Sequence, residues 1–259
     1  MSELPTVWVL GDQLNRNIAP LRGRSPSDCR VLLVESAAKL ASKRWHVQRA
    51  HLVLSAMRHF AAELTAEGFE VDLRRAPSLV AGLREHCDEH GVERVIAMEP
   101  MSWDGRNLLQ RVGVDVVATD QFCCHPDEFA DWAGGRQSLR MEDFYRWQRS
   151  RLSVLMDGDE PIGGQWNFDH DNREPPPTDG RSWPALTRFD LDEIDAAVLD
   201  DLAALAAPPW GAPPDGSWPV TRAQAVARLD EFIADGLAPF GPHEDAMLRA
   251  EWKLAHSAL

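Results

Sequence analysis

Residues suited to holding a small polar ligand follow the first two apolar runs of the chain. These residues are Gly11, Asp12, Gln13, Leu14, Glu35 and Ser36. A glycine permits a tight turn and lets a ligand approach the backbone closely. The two carboxylates and the amide can accept and donate hydrogen bonds, which suits a neutral polar heterocycle or ribityl hydroxyls. Position alone equally allows Asp12 and Glu35 to cap turns and helices.

Other chemical signatures in the sequence are weak. There is no GxGxxG or GxxxxGK[ST] phosphate cradle and no GxSxG nucleophile elbow. The four cysteines lack metal-ligand spacing and are predicted to be reduced thiols. His86 and His90 are four residues apart and could in principle bind a metal, but no other ligand-type residue lies at a helpful spacing. We therefore predict no metal site and assign no catalytic residue.

The first half of the chain alternates predicted strands with predicted helices. Five short runs have strand character, at 6–10, 30–35, 69–75, 93–98 and 114–119. Runs that are apolar throughout, separated by helical patterns, are typical of a parallel sheet covered on both faces. We predict an α/β domain over residues 1–125, built on a doubly wound, five-stranded parallel sheet. Ligands bind such sheets beyond the carboxyl ends of the strands, where the six residues above lie.

The second half of the chain has a different texture. Residues 126–219 are predicted to form a helical connector and an ordered strap rich in proline, glycine and tryptophan. Three consecutive prolines make the strap irregular, while its aromatic residues distinguish it from a disordered linker. We expect Trp166, Phe168 and Trp183 to pack against the sheet domain or the connector helices. Residues 220–259 are predicted as the first helices of an all-helical domain.

Charge and hydropathy exclude several classes of partner. The net charge is −14, from 27 Lys+Arg and 41 Asp+Glu. Weak or no DNA binding is expected of so acidic a chain, because domains that hold nucleic acid carry a basic stripe. Four arginines at 140–151 are a local exception, and their spacing predicts a solvated helix face. No apolar run approaches the roughly 20 residues of a membrane span, and the N-terminus shows no export signal, so we expect no membrane partner and a cytoplasmic location.

Five blocks of sequence together resemble one family. They are GDQLN (11–15), LSAMRHFAAEL (54–64), SLRMEDFYRWQR (138–149), PIGGQWNFDHDNR (161–173) and FGPHEDAM (240–247). The combination closely resembles the N-terminal half of the deoxyribodipyrimidine photolyase-related proteins. These proteins are the prokaryotic iron–sulfur branch of the photolyase and cryptochrome family, whose characterised members repair six-four photoproducts.

The resemblance implies cofactors, a partner and an activity. The α/β domain would hold an antenna chromophore like 6,7-dimethyl-8-ribityllumazine, contacted by the six residues above. A helical domain would hold FAD, a 4Fe-4S cluster and UV-damaged DNA. Reduced flavin would donate an electron to the photoproduct under light, with the damaged bases taken out of the stack. His256 and Ser257 would begin the cradle for the flavin phosphate.

The resemblance also sets expectations about this chain alone. Its last residues fall where the flavin cradle begins, and none of its cysteines corresponds to a cluster ligand. We therefore expect weak or no FAD binding and no repair by the chain alone, and we leave open whether it is an enzyme. Two alternatives remain. One is a cryptochrome-like blue-light sensor or chromophore-binding module without repair activity. The other is an α/β domain with no chromophore, retained to bind a partner or left by a broken gene.

Overall fold

The computed structural model describes residues 4–179 and 187–246. Each run predicted as a strand contributes one strand: β1 (Thr6–Trp8), β2 (Arg30–Ser36), β3 (Val71–Ala76), β4 (Val95–Met98) and β5 (Asp115–Val117). Neighbouring strands pair in parallel, in the order β3-β2-β1-β4-β5. The prediction of a doubly wound five-stranded parallel sheet is confirmed. Because the strand order reverses at β1, the switch point lies between the carboxyl ends of β1 and β4.

Four helices accompany these strands: α1 (Ala37–Ala41), α2 (Val47–Ala66), α3 (Leu79–His90) and α4 (Trp103–Val112). Alternate side chains of β2 feed an apolar layer on each face of the sheet. Val31 and Leu33 pack with Met57 and other residues of α2 on one face. Leu32 and Val34 pack with residues of α3 and α4 on the other. Both faces of the central strands are therefore buried, as a near-continuous apolar run requires.

Local sequence signals fix the ends of the helices. Ser36, Ser78 and Ser102 precede α1, α3 and α4, and each side-chain oxygen accepts a backbone N–H from the first turn. Gly91 and Gly113 end α3 and α4 with φ angles of 63° and 72°, the left-handed conformation that glycine adopts without a Cβ clash. These caps set where each helix begins and ends relative to the strands.

Three further helices lie in the later part of the described chain: α7 (Glu193–Ala203), α8 (Arg222–Glu231) and α9 (Leu237–His243). A π-helical turn at Phe232–Gly236 joins the last two. Val198 and Leu202 of α7 are buried against Ala50 and Leu54 of α2. The chain therefore returns to the sheet domain after the strap and covers the outer side of α2.

The segment after β5 contains α5 (Pro126–Ala133) and α6 (Met141–Leu152), as the helical pattern predicts. A small antiparallel hairpin follows, with strands β6 (Met156–Asp157) and β7 (Glu160–Pro161). The sequence predicts helix as far as residue 157 and irregular structure after it, so the hairpin corrects both predictions. Strands of two residues are too short to show alternation of apolar and polar side chains.

The chain divides into two compact units. Unit 1 comprises residues 1–121 and 187–227, and unit 2 comprises residues 122–186 and 228–259. Helix α7 belongs to unit 1, although its sequence lies within the predicted connector. The boundaries after residues 125 and 219 remain predictions. Within residues 4–179 and 187–246, none of the helices is long and apolar enough to cross a bilayer.

His86 of α3 is a fully buried histidine that links α3 to two strands. Its Nδ1 lies 2.7 Å from Asp72 Oδ2, and its Nε2 lies 2.9 Å from Thr6 Oγ1. Because a carboxylate can only accept, the neutral ring carries its proton on Nδ1 and accepts from the Thr6 hydroxyl at Nε2. Burial lowers the pKa of His86, although Asp72 opposes the shift. Burial raises the pKa of Asp72, but hydrogen bonds from Arg74 and His86 outweigh it and leave that pKa lowered.

Acidification is expected to destabilise unit 1 through His86. An unfolded histidine takes up a proton below about pH 6.5, whereas folded His86 stays neutral down to its lowered pKa. The unfolded state therefore binds more protons across that window. The free energy of unfolding falls with decreasing pH by up to about 1.4 kcal/mol per pH unit for this one group.

Urea unfolding at several pH values between 7 and 5 tests this. The free energy of unfolding should change less steeply with pH in His86→Gln than in the parent. The exposed His170 supplies the control, since His170→Gln should keep the parental slope. An unchanged slope in His86→Gln would contradict the assignment.

Candidate functional site

The loop after β1 lies across the switch point of the sheet and is fixed there by two amide side chains. Gln13 Nε2 donates to the carbonyl oxygens of Met98 (3.2 Å) and Glu99 (3.4 Å), at the end of β4. Gln121 Nε2 donates to the carbonyl oxygen of Asp12 at 2.6 Å. The loop that carries the predicted ligand-binding residues is therefore tied to the ends of both β4 and β5.

The four loop residues differ in what they expose. Gln13 is 1% exposed, whereas Asp12 is exposed to solvent. Leu14 packs on the apolar layer beneath the loop. A Cβ on Gly11 would lie 3.1 Å from Met57 Sδ and 3.5 Å from Val53 Cγ1, so a side chain there would crowd α2. Gly11 thus lets the loop lie closely on α2.

The two polar atoms of the Gln13 side chain differ in whether they are hydrogen-bonded. Its amide nitrogen is satisfied by the two β4 carbonyls. Among the residues that the structure describes, its buried Oε1 has no hydrogen-bond partner. A buried acceptor without a partner costs about 1–3 kcal/mol, so an N–H or O–H group placed beside it would be stabilised. Gln13 Oε1 is therefore the strongest indication of a ligand at this edge of the sheet.

Glu35 and Ser36 are committed to the fold. The Glu35 carboxylate is 7% exposed and receives two hydrogen bonds from the Arg58 guanidinium, at 2.7 and 2.9 Å. Ser36 caps α1 by accepting from the backbone N–H of Lys39 at 3.2 Å. A carboxylate has about four acceptor positions, so Glu35 can still accept another donor while Arg58 holds it.

Arg58 is the centre of an ion network of two arginines and two carboxylates. It also donates to Asp201 of α7 at 2.7 Å. Arg75 at the end of β3 donates to Asp201 at 2.8 Å, and its Nε lies 3.4 Å from Glu35 Oε2. Hydrogen bonds to its two carboxylates raise the pKa of Arg58, against the effect of burial, so its guanidinium stays charged. The network joins β2, α2, β3 and α7 in unit 1.

The structure thus brings the predicted residues to one edge of the sheet, where neighbouring strands β1 and β2 end. His256 and Ser257 lie outside the described residues. Sequence analysis missed Arg58 and Asp201, although Arg58 lies within the apolar stripe of α2, one residue after the buried Met57. A charged residue beside a buried position of an amphipathic helix is a usable signal for a buried ion pair.

Two of the sequence blocks that carry the resemblance meet in unit 2. Arg149 of α6 is buried and donates to the carbonyl oxygen of Trp166 at 3.2 Å. The guanidinium groups of Arg146 and Arg149 each lie 5.4 Å from the Trp166 ring centroid. Trp166 therefore packs on a connector helix, whereas Phe168 is exposed and Trp183 lies outside the described residues. The solvated face predicted for the arginines is wrong for Arg149.

Comparison with known proteins identifies the family. The sequence profile of the family described as deoxyribodipyrimidine photo-lyase-related protein matches residues 7–218. The chain belongs to the deoxyribodipyrimidine photolyase-related family. It is 35% identical over 271 aligned residues to a (6-4) photolyase of Agrobacterium fabrum, and the alignment covers 100% of this chain and 53% of that protein. It is also 39% identical over 41 residues to an uncharacterized protein of Acanthamoeba polyphaga mimivirus, which covers 16% of this chain and 21% of that protein.

A solved structure also aligns with most of this chain. The crystal structure of a bacterial class III photolyase from Agrobacterium tumefaciens aligns with a TM-score of 0.49 and 14% sequence identity. That alignment covers 92% of this chain and 46% of the other. The chain therefore spans about half the length of the photolyases it matches.

Proposed function

We propose that unit 1 of this photolyase-related chain binds an antenna chromophore at the carboxyl edge of its sheet, resembling 6,7-dimethyl-8-ribityllumazine. The observation that carries the proposal is the buried Oε1 of Gln13, which lacks a partner among the described residues and lies at the switch point between β1 and β4. Such crevices are where ligands bind in open α/β sheets.

The chemistry of the site fits this class of chromophore. A lumazine ring carries an imide N–H between two carbonyl groups, and its ribityl chain carries hydroxyls. Gln13 Oε1 can accept from either kind of donor, and the exposed Asp12 carboxylate can accept from hydroxyls. Gly11 and Leu14 remain proposed contacts, in a loop that their packing on α2 and on the apolar layer holds in place. Glu35 and Ser36 remain proposed contacts, with Glu35 offering the acceptor positions that Arg58 leaves open.

Titration of the purified chain with dimethyl-ribityllumazine tests the proposal. We expect stoichiometric binding with a shifted absorption band and retention of the chromophore through gel filtration. Gln13→Ala should weaken binding roughly tenfold, because one hydrogen bond to a buried acceptor is lost. No binding by the parent chain would contradict an antenna site.

Gln121, the second amide that fixes the loop after β1, supplies the matched control. Gln121→Ala removes the exposed hydrogen bond to the Asp12 carbonyl but leaves Gln13 in place. It should bind the lumazine within about twofold of the parent, since exposed hydrogen bonds contribute little. Equal weakening by both substitutions would indicate that loop anchoring, and not Gln13 Oε1, governs affinity.

We further propose that this chain supplies the antenna part of a protein that repairs six-four photoproducts in DNA, in a reaction driven by light. The support is the family membership and the 35% identity to a (6-4) photolyase. Bound FAD would supply the electron, with a 4Fe-4S cluster as a further group, and His256 and Ser257 are proposed to approach the flavin phosphate. The charge of −14 fits a part that contributes little to holding DNA by itself.

A further inference from the structure

A second group of ligand-type side chains lies in unit 1, apart from the proposed chromophore edge. His51 and His59 lie on α2, while Asp192 and Asp195 lie at the start of α7. His51, Ser55 and His59 follow one another at steps of four along α2, so they share one face of that helix. This face meets the first turn of α7.

The separations between these groups are too long for hydrogen bonds. Asp195 Oδ1 lies 3.7 Å from His51 Nε2 and 3.5 Å from His59 Nε2. Asp192 Oδ1 lies 3.6 Å from His59 Nε2. Hydrogen bonds between such atoms are about 2.7–3.2 Å long. Two ligands bound tetrahedrally to one zinc ion, each about 2.0–2.1 Å away, are separated by about 3.4 Å.

Two of these groups are buried, and in the described chain each has one polar atom without a hydrogen bond. Across residues 4–179 and 187–246, neither Asp195 Oδ1 nor His59 Nε2 has a hydrogen-bond partner, and Asp195 is 1% exposed. The other oxygen of Asp195 accepts the backbone N–H of Asp192 at 3.2 Å, which fixes the carboxylate and directs Oδ1 at the histidines. A buried carboxylate without full compensation is costly, and a cation between these atoms would relieve that cost.

The other histidine cluster of unit 1 differs in how its polar atoms are hydrogen-bonded. Asp72, His86 and His90 also lie close enough to share an ion. There, however, the His86 nitrogens are engaged at 2.7 and 2.9 Å, and Asp72 also accepts from Arg74. The Asp72 cluster is satisfied by hydrogen bonds, whereas Asp195 Oδ1 and His59 Nε2 of the α2–α7 cluster have none in the described residues.

We propose that His59, Asp192 and Asp195 form a zinc site that fastens α7 to α2, with solvent in the fourth position. One imidazole and two carboxylates match the ligand preferences of Zn²⁺. Asp192 is half exposed and gives the ion access from solvent, although its Oδ1 also caps α7. His51 lies beside these three ligands, with its Nε2 3.2 Å from Ser55 Oγ. The sequence predicts no metal site, so this inference goes beyond it.

Zinc titration of the chelator-treated chain tests the proposal. Calorimetry should give one Zn²⁺ per chain, and Co²⁺ in its place should show the visible bands of tetrahedral coordination. At a free zinc concentration of about 100 times Kd, the melting temperature should rise by roughly 5–10 °C. Asp195→Asn and His59→Gln should each weaken zinc binding at least about tenfold.

The control is His90→Gln, which alters the other histidine cluster. It should bind zinc as the parent does. Circular dichroism establishes that each variant is folded, and Asp195→Asn keeps an oxygen for the Asp192 N–H. Absence of stoichiometric zinc in the parent overturns the proposal. Undiminished affinity in both Asp195→Asn and His59→Gln also overturns it, as does loss of binding in His90→Gln alone.

Discussion

Replacing Arg58 by alanine is expected to lower the stability of unit 1 by about 3–5 kcal/mol. Among the described residues, the substitution leaves the buried Glu35 carboxylate with the Arg75 guanidinium, whose Nε lies 3.4 Å away. Removing one partner of a buried ion pair leaves an uncompensated charge, which costs far more than the pair itself contributes. Urea unfolding followed by circular dichroism measures the change.

Arg75 provides the matched control for Arg58. It contacts the same two carboxylates, but its side chain is 63% exposed. Arg75→Ala should cost no more than about 1 kcal/mol, because exposed ion pairs contribute little. The double variant Glu35→Leu/Arg58→Met removes both buried charges and should recover much of the loss. If Arg58→Ala cost no more than Arg75→Ala, the network would not hold the sheet edge together.

Replacing Arg149 by alanine is expected to release the segment after α6, at a cost of about 3 kcal/mol. The buried guanidinium donates to the carbonyl oxygens of Val154, Leu155 and Trp166. Ser153 and Leu155 both have φ angles of 54°, a left-handed conformation that costs about 1–2 kcal/mol per residue. The bonds from Arg149 hold the chain in this strained turn.

Limited proteolysis measures the release directly. Cleavage between residues 153 and 166 should accelerate roughly 100-fold in Arg149→Ala, since cleavage follows the population of the opened segment. Arg149→Lys should recover little, because an ammonium cannot reproduce the planar fork of donors. Arg140, 73% exposed and paired with Asp143, is the control, and Arg140→Ala should be cleaved at the parental rate. Equal cleavage of the parent and Arg149→Ala would contradict the role of Arg149.

The sheet could be predicted from the sequence because its signals are local. Four strands lie within short apolar runs and β3 within an alternating run, and glycines stand where α3 and α4 end. Thr221 and Gln224 have the spacing of a capping box at the start of α8, and the Gln224 backbone N–H donates to Thr221 Oγ1 at 3.2 Å. Parallel pairing then follows from the alternation of strands and helices.

The contacts of α7 could not be predicted in the same way. Asp201 is 143 residues from Arg58 in sequence, and an acidic helix looks the same whether it is solvated or pairs with buried arginines. The roles of Glu35 and Arg149 depend on such distant partners. Two overlooked signals were local: the spacing of His51, Ser55 and His59 by four along α2, and the charge of Arg58 within its apolar stripe.

The return of the chain to unit 1 has a consequence for its synthesis. Segment 122–186 belongs to unit 2 and interrupts unit 1, whose remaining part is made afterwards. As the chain leaves the ribosome, the five strands emerge well before the residues of α7 that cover α2 and complete the Arg58 ion network. Until α7 has been made, the sheet domain therefore exposes an apolar face of α2, and Arg58 lacks the Asp201 carboxylate. The final closure of that domain is a late co-translational event, which exposes the growing chain to chaperones and to misassembly for that interval.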